Sequence, residues 1–358
     1  MATRPDFTTS GHTVTARSRA LADSLSLKFT ADAGRDPEPS QWPVLVTGAG
    51  GFVGGHVARQ LAASGHFVRG LTRRPPQIEE GDPNIEWVIG DLLDPDVRRR
   101  ALVGVRGVVH AASWVSLGPD RRGISQATNV ESTGHLLVEA ASAGAERFVY
   151  TSTLYSLAAG TASQPADEST AWNLQDVDSD YTRTKRQAEQ LVLAANRPRF
   201  TTIALCPGMV QGPRDTKPTS TAIAKAMSRS LLAVIPPGGI PIIDVELLAL
   251  AHRRALVCGK GGERYAVVGP YLSYGDLAAL VASLTGRPRW LIPLGDRLEP
   301  VIVSAAGWWG PLARMWWPDV SRQLAAGGFL RFYIRGDRAN ACFGLEHPPA
   351  VDSIGRSL

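Results

Sequence analysis

A chain of 358 residues, 44% hydrophobic and 20% charged, has the length for one large domain or two smaller ones and the balance of a folded globular protein. Its net charge of +5 is mild and its basic residues are scattered, which argues against a nucleic-acid surface. Cys206, Cys258 and Cys342 are odd in number and far apart, so neither a disulfide framework nor a metal site is expected, and with no span-length apolar run or signal-peptide core the reading is cytoplasmic.

Residues 1–41 lack periodicity, are rich in Ser, Thr, Ala and Arg, and end in Asp36-Pro37-Glu38-Pro39. They read as a disordered tail with one short helix around 20–27, and the same composition also fits a transit peptide. The folded part is expected to begin near Trp42. There Val44-Leu45-Val46-Thr47 forms an apolar, β-branched run that ends in Gly48-Ala49-Gly50-Gly51-Phe52-Val53-Gly54. Gly48, Gly51 and Gly54 recur every three residues, and an apolar helical pattern follows at Phe52, Val53, Val57, Ala58 and Leu61. Strand, glycine turn and helix in that order suit a dinucleotide pyrophosphate. The first glycine permits the turn, the second lets backbone approach phosphate, and the third lets helix pack on strand. Free N–H groups at the helix start then face the anion.

Ser64-Gly65 stops that helix, and Phe67-Val68-Arg69-Gly70-Leu71 reads as the second strand. A carboxylate at its end would grip the ribose hydroxyls of NAD, whereas arginine accommodates the extra phosphate of NADP. The chain offers Thr72-Arg73-Arg74-Pro75 and no acid before Glu79, which favours NADP(H) over NAD; the alternative is a pair of solvated surface arginines. A third strand over 85–89 leads to Gly90-Asp91-Leu92, where Asp91 faces the adenine amino group or caps a helix, a task Asp94 could also take. A fourth strand, Gly107-Val108-Val109-His110, runs into Ala111-Ala112, small enough for a cofactor to pass, with His110 read as structural. A helix from about 124 to 143 carries Asn129, and a fifth strand over 147–150 ends in the hydroxyls of Thr151-Ser152-Thr153, at the end of a sheet where ligands bind.

The next helix opens with Tyr181-Thr182-Arg183-Thr184-Lys185. Tyr181 and Lys185 are four apart and share a helix face. A neighbouring ammonium is expected to lower the phenol from its usual value of about 10, so that Tyr181 exchanges protons with a carbonyl or alcohol, while the Thr153 hydroxyl holds the reacting oxygen. Lys185 is also placed to hydrogen-bond the nicotinamide ribose.

With these motifs in one order, the chain resembles the extended short-chain dehydrogenases/reductases, in the branch of the dihydroflavonol reductases and sugar epimerases. The resemblance is carried by residues 47–54, Asp91-Leu92, His110-Ala111-Ala112, Asn129-Val130, Thr151-Ser152-Thr153, Tyr181 with Lys185, and Cys206-Pro207-Gly208 with Gly212-Pro213. It implies a catalytic set of Thr153, Tyr181, Lys185 and Asn129, the last in proton relay. It implies cofactor contacts from Gly48, Gly50, Gly51, Phe52, Val53, Gly54, Arg73, Arg74, Asp91, Leu92, Ala111, Ala112, Tyr181, Lys185, Pro207 and Gly208. Lys217-Pro218-Thr219, Ile243-Asp244-Val245, Leu250-Ala251-His252, Gly262-Glu263-Arg264-Tyr265, Tyr274-Gly275-Asp276-Leu277 and Thr285-Gly286-Arg287-Pro288 further resemble hopanoid-associated reductases. Cys206 stands where many relatives carry arginine and Gln211 where many carry tyrosine, both expected near the nicotinamide.

Toward the C-terminus, Trp308-Trp309 and Trp316-Trp317 flank Gly310-Pro311-Leu312-Ala313-Arg314-Met315. With Pro311 in a first turn this reads as a helix whose indoles pack the lobe or a homodimer contact. The other reading is a large apolar pocket or a membrane-surface contact. The stretch from Arg335 reads as surface-rich and closing the lobe. The expected architecture is α/β: residues 42–215 form a doubly wound parallel Rossmann domain binding NADPH. Residues 216–358 form mainly a substrate-binding lobe entered after a sixth strand over 200–205. The expected reaction is hydride transfer between nicotinamide and a secondary alcohol or ketone of a small, apolar molecule of dihydroflavonol, steroid or terpenoid type. The alternatives are a nucleotide-sugar epimerase or dehydratase with retained NAD, and an NADP-sensing regulator without chemistry.

Overall fold

The computed structural model describes residues 42–76, 85–116, 120, 123–216, 220–287, 290–313 and 322–358. The readings that fall on the tail, on Glu79, on Lys217-Pro218-Thr219, on Pro288, on Arg314-Met315 and on Trp316-Trp317 lie outside the described residues, as does the Trp309 side chain.

Seven strands form one sheet in the order β10-β6-β5-β4-β1-β2-β3, every pairing parallel. They are β1 (Pro43–Thr47), β2 (Phe67–Thr72), β3 (Glu86–Ile89), β4 (Gly107–His110), β5 (Arg147–Thr151), β6 (Thr201–Pro207) and β10 (Glu263–Val267). Central strands buried on both faces read as continuous apolar runs instead of alternating ones, and β1 and β4 do. Val44 and Val46 face helices α1 (Phe52–Ala63), α6 (Val245–Ala255) and α10 (Asp337–Phe343). Leu45 faces α2 (Pro95–Leu102), α3 (Ser132–Ser142) and α4 (Asp180–Ala194) on the other side. This is the doubly wound Rossmann architecture expected, and the strand order reverses between β1 and β4, where such sheets bind ligands at their carboxyl ends. The sixth strand runs two residues beyond its expected end, because Cys206 and Pro207 still pair with β10.

Beyond β6 the chain builds smaller pieces. A three-stranded sheet joins β7 (Met209–Gln211), β9 (Gly239–Asp244) and β11 (Tyr271–Ser273), and a two-stranded one joins β8 (Leu232–Ile235) to β12 (Trp290–Pro293). With α5 (Ala222–Arg229), α7 (Tyr274–Thr285), α8 (Glu299–Ala313) and α9 (Arg322–Phe329) they surround a second apolar core that includes Met227, Ile242, Leu277 and Phe332.

One expectation is refined here and one fails. Half of residues 335–358 are exposed, as a surface-rich stretch should be, but α10 inserts Ala339 and Phe343 into the core beside α6, and α11 (Ala350–Gly355) buries Ile354. An apolar pair four residues apart on a seven-residue helix is hidden in sequence by Asp337, Arg338 and Asn340 between and beside it. Pro311 sits in the last turn of α8, not the first; Pro300 occupies the start, where the missing N–H costs nothing.

Candidate active site

A groove of about 2070 Å3 runs along the carboxyl ends of the central strands and into the lobe. Its sheet end is the glycine turn. Gly48 sits at φ +69, which favours glycine, and a Cβ on it would lie 2.8 Å from the Ala112 nitrogen. A Cβ on Gly54 would lie 2.3 Å from the Gly48 oxygen, so only glycine lets α1 seat against the end of β1. The Gly51 N–H donates to the Gly48 oxygen at 2.8 Å and closes the turn. No side chain caps α1, so the N–H groups of its first turn, from Phe52 and Val53 onward, are left to face an anion. A cradle that any Cβ would fill, under an uncapped helix start, fits a dinucleotide pyrophosphate.

The other side of that cradle is held by a chain of hydrogen bonds. The Ala112 N–H donates to Thr47 Oγ1 at 3.2 Å, and Thr47 Oγ1 meets His110 Nδ1 at 2.7 Å. His110 Nε2 meets Thr133 Oγ1 at 2.8 Å, and that hydroxyl donates onward to the Asn129 carbonyl at 2.7 Å. The Thr133 proton is thus committed, so His110 is protonated on Nε2 and accepts on Nδ1. Burial, with Lys185 nearby, pushes His110 down to about 3, so it stays neutral and structural.

Toward the adenosine end, Arg73 and Arg74 follow β2 along the groove, joined there by Arg59 from α1. Asp94, not Asp91, caps α2 by accepting from the Asp96 N–H at 2.8 Å, which leaves Asp91 on the groove beside Leu92. Ala111, Ala112, Pro207 and Gly208 line the groove as well.

At the centre, Ser179 opens α4 with a reciprocal capping box through Thr182. The fixed start aims Tyr181, Lys185 and Glu189, each four residues on, along one face toward the ends of β5 and β6. Tyr181, Lys185 and Thr153 all line the groove. Burial raises the Tyr181 phenol above its ordinary value, and a hydrogen bond to Thr153 works in the opposite direction. The expected lowering by Lys185 is not what the geometry produces. The Lys185 Nζ donates to the Thr151 carbonyl and stands 4.1 Å over the Tyr150 ring. Desolvation lowers it to about 7, against the pull of Glu189. A short helical spacing says that two side chains share a face, not that their charges meet.

Asn129 lies behind the groove, on a π-helical stretch (Gln126–Glu131) that leads into α3. Its oxygen accepts from the Trp114 N–H at 2.7 Å and the Ser113 hydroxyl at 3.0 Å; its nitrogen donates to the Trp114 carbonyl and to Thr184 Oγ1, both at 3.0 Å. All four of its hydrogen-bonding capacities are used, tying two groove residues to α4. Such π-turns are frequent at functional sites.

Cys206 and Gln211, expected near the nicotinamide, are both buried and absent from the described groove lining. The Cys206 thiol donates to Glu189 at 3.3 Å and is pushed well above its ordinary value by burial, hence inert. Gln211 donates to the carbonyls of Val210 and Ser220. Cys206 and Pro207 are neighbours in β6, so alternation turns the first away as it brings the second to the groove, while Gln211, at the end of β7, spends its amide on those two carbonyls. Sequence reasoning missed Glu189, which is 2% exposed, accepts from Ser152 and Cys206, and pairs with Arg264 of β10 at 3.4 Å. The Tyr181–Lys185 spacing extended by one more turn would have found it. Tyr155, Trp114, Arg59 and Arg214 were missed too, since they come from loops or from a helix face with no periodic signal.

At the lobe end the groove wall turns apolar, with Ile223, Ala226, Met227, Leu232, Val234 and Ile240. Among the described lining residues of that end, Arg214 is the one cation.

The model of the NAD dependent epimerase/dehydratase family matches residues 44–251. A Synechocystis protein named for dihydroflavonol 4-reductase is 33% identical over 253 residues, 68% of this chain and 73% of the relative. Sterol demethylase protein B of Methylococcus capsulatus is 32% identical over 281 residues, 76% and 83% of the two chains. The crystal structure of gox2253 superposes with a TM-score of 0.73 at 32% identity, over 89% of this chain and 97% of that one.

Proposed function

Because the chain belongs to the NAD dependent epimerase/dehydratase family and is an NAD(P)-dependent dehydrogenase/reductase of the extended short-chain class, we propose that it reduces the ketone of a small apolar molecule, or oxidises the matching secondary alcohol, with NADP(H). The observation that carries the reading is the meeting, in one groove, of a Tyr181–Thr153 hydroxyl pair with an aliphatic lobe wall. A phenol whose proton is held by burial is present as the acid, the form that donates to a developing alkoxide.

The glycine turn and the start of α1 would hold the pyrophosphate, Asp91 and Leu92 the adenine side, and Arg73, Arg74 and Arg59 a ribose 2′-phosphate. When bound, the cofactor supplies or accepts the hydride. The chain does the rest. Thr153 Oγ1 orients the substrate oxygen, and Tyr181 Oη donates a proton to that oxygen as it gains charge. Lys185, anchored on the Thr151 carbonyl, adds positive potential beneath the site when protonated. Apolar side chains from α5 and β8 line the substrate end of the groove. A nucleotide-sugar substrate would bring a diphosphate to the lobe end, where the described lining offers one arginine.

A titration of NADPH against NADH tests the cofactor half. Wild type is expected to prefer NADPH, and Arg73→Ala/Arg74→Ala to lose roughly 10–100-fold in NADPH affinity with NADH unchanged, as loss of one or two charge-assisted hydrogen bonds would give. Tight NADH binding that ignores both arginines would end the NADP assignment.

A further inference from the structure

Helix α8 is apolar on every side: in Glu299–Ala313, Glu299 and Ser304 are the polar residues. A helix of that kind belongs inside a protein or against lipid. One side of α8 does pack inward, through Val303 and, in part, Ile302 and Ala306. The other side carries Val301, Ala305 and Trp308 in solvent, with Trp308 85% exposed. The reading in which this tryptophan packs the lobe therefore fails.

The small sheet preceding it has the same character. Leu232-Ala233-Val234-Ile235 and Trp290-Leu291-Ile292-Pro293 contain no polar side chain, yet Leu232, Val234 and all of β12 are exposed, Trp290 by 79%. Exposed apolar surface of this kind, on two elements next to each other in the chain, marks a binding face. It is also continuous with the groove: Leu232 and Val234 are at once exposed and part of the groove wall, as is Leu324 of α9, which packs on α8.

Charge decides what covers the face. Exposed Arg229 precedes β8, Arg287 precedes β12, Arg297 lies between β12 and α8, and Arg322 opens α9. Of the described acids in these segments, Asp296 is paired with Arg331, and Glu299 stands at the start of α8. In a two-fold contact between copies, each patch meets itself, so this arginine rim would meet its own charge. Anionic headgroups attract it instead, and exposed tryptophans prefer the lipid–water boundary. At 1.5 Å per residue α8 is about 22 Å long, short of the roughly 30 Å hydrocarbon layer, and no described helix is long and apolar enough to cross a membrane. The geometry fits lying on a bilayer, not spanning one.

We propose that the face made by β8, β12 and α8 seats on an anionic lipid bilayer, and that apolar substrate enters the groove from the lipid past Leu232, Val234 and Leu324. The second part rests on the function proposed above; the first does not.

The test is flotation of the full chain with vesicles of phosphatidylcholine alone or mixed with phosphatidylglycerol, without substrate. Wild type is expected to float with the mixed vesicles. Trp290→Ser/Trp308→Ser should reduce the bound fraction roughly tenfold or more on mixed vesicles. Arg287→Glu/Arg297→Glu should do so on mixed vesicles with little change on neutral ones. NADPH binding by each variant serves as the check on folding, because neither pair lies in the cofactor end of the groove. Absence of wild-type binding overturns the proposal. So does binding that the tryptophan pair leaves intact, and so does a dimer that the tryptophan pair dissolves without vesicle binding in wild type, which would make a second copy the occupant. A failed screen of water-soluble ketones would instead count against the proposed reaction and leave flotation untouched.

Discussion

The two ends of the groove are built on opposite plans. At the sheet end hydrogen bonds link the Ala112 N–H, Thr47, His110 and Thr133 in one chain, and close backbone approaches at Gly48 and Gly54 leave no slack. At the lobe end, short strands and α8 present apolar side chains with little charge among them. A cofactor common to a whole family asks for fixed atoms, whereas the small apolar substrate proposed above would ask for area and adaptable walls. The rigid end therefore tolerates almost no change, and the lobe end should tolerate much.

The sharpest break of that contrast is Tyr181→Phe. Turnover is expected to fall by about 10²–10⁴-fold with cofactor affinity retained, as loss of a general acid gives. Equal loss of both would mean that Tyr181 serves binding and not proton transfer. Gly54→Ala comes next: its methyl has only backbone to push, so a stability loss of about 1–3 kcal/mol and at least tenfold weaker dinucleotide binding are expected in thermal melts and titrations.

A third effect depends on pH. His252 lies between the Thr151 hydroxyl on Nε2 and the Leu248 carbonyl on Nδ1, and burial lowers it to about 4; His110 sits near 3. Both ordinary values are 6.5. Between pH 6.5 and 4 the unfolded chain takes up these protons and the native chain does not, so stability falls with acidification across that window. Each histidine contributes up to about 1.4 kcal/mol per pH unit there. Melting temperatures of wild type and His252→Gln at pH 7, 5.5 and 4.5 should show a shallower decline in the variant. The smallest effect belongs to the lobe: Trp308→Ser should change stability by less than about 0.5 kcal/mol, because an 85% exposed indole has little packing to lose. A large loss would show that the lobe end is as tightly built as the sheet end.

The amino-acid sequence by itself determined what depends on neighbours in the chain. The apolar run 44–46, the glycines at 48, 51 and 54, and the four-residue step from Tyr181 to Lys185 encode strand, turn and helix face through local geometry alone. That was enough for the Rossmann architecture and for a dinucleotide cradle at the first turn. Only the tertiary structure decided where charge and burial act between distant segments. It set Lys185 on the Thr151 carbonyl instead of lowering the Tyr181 phenol, and it turned Cys206 and Gln211 away from the groove. It also gave Glu189 a partner in Arg264, seventy-five residues on, buried Phe343 in the main core, and left Trp308 in solvent. The physical reason is the range of the forces. Backbone sterics and helical period act over a few residues, but desolvation and pairing depend on everything within a few ångströms, and that company is chosen by the fold.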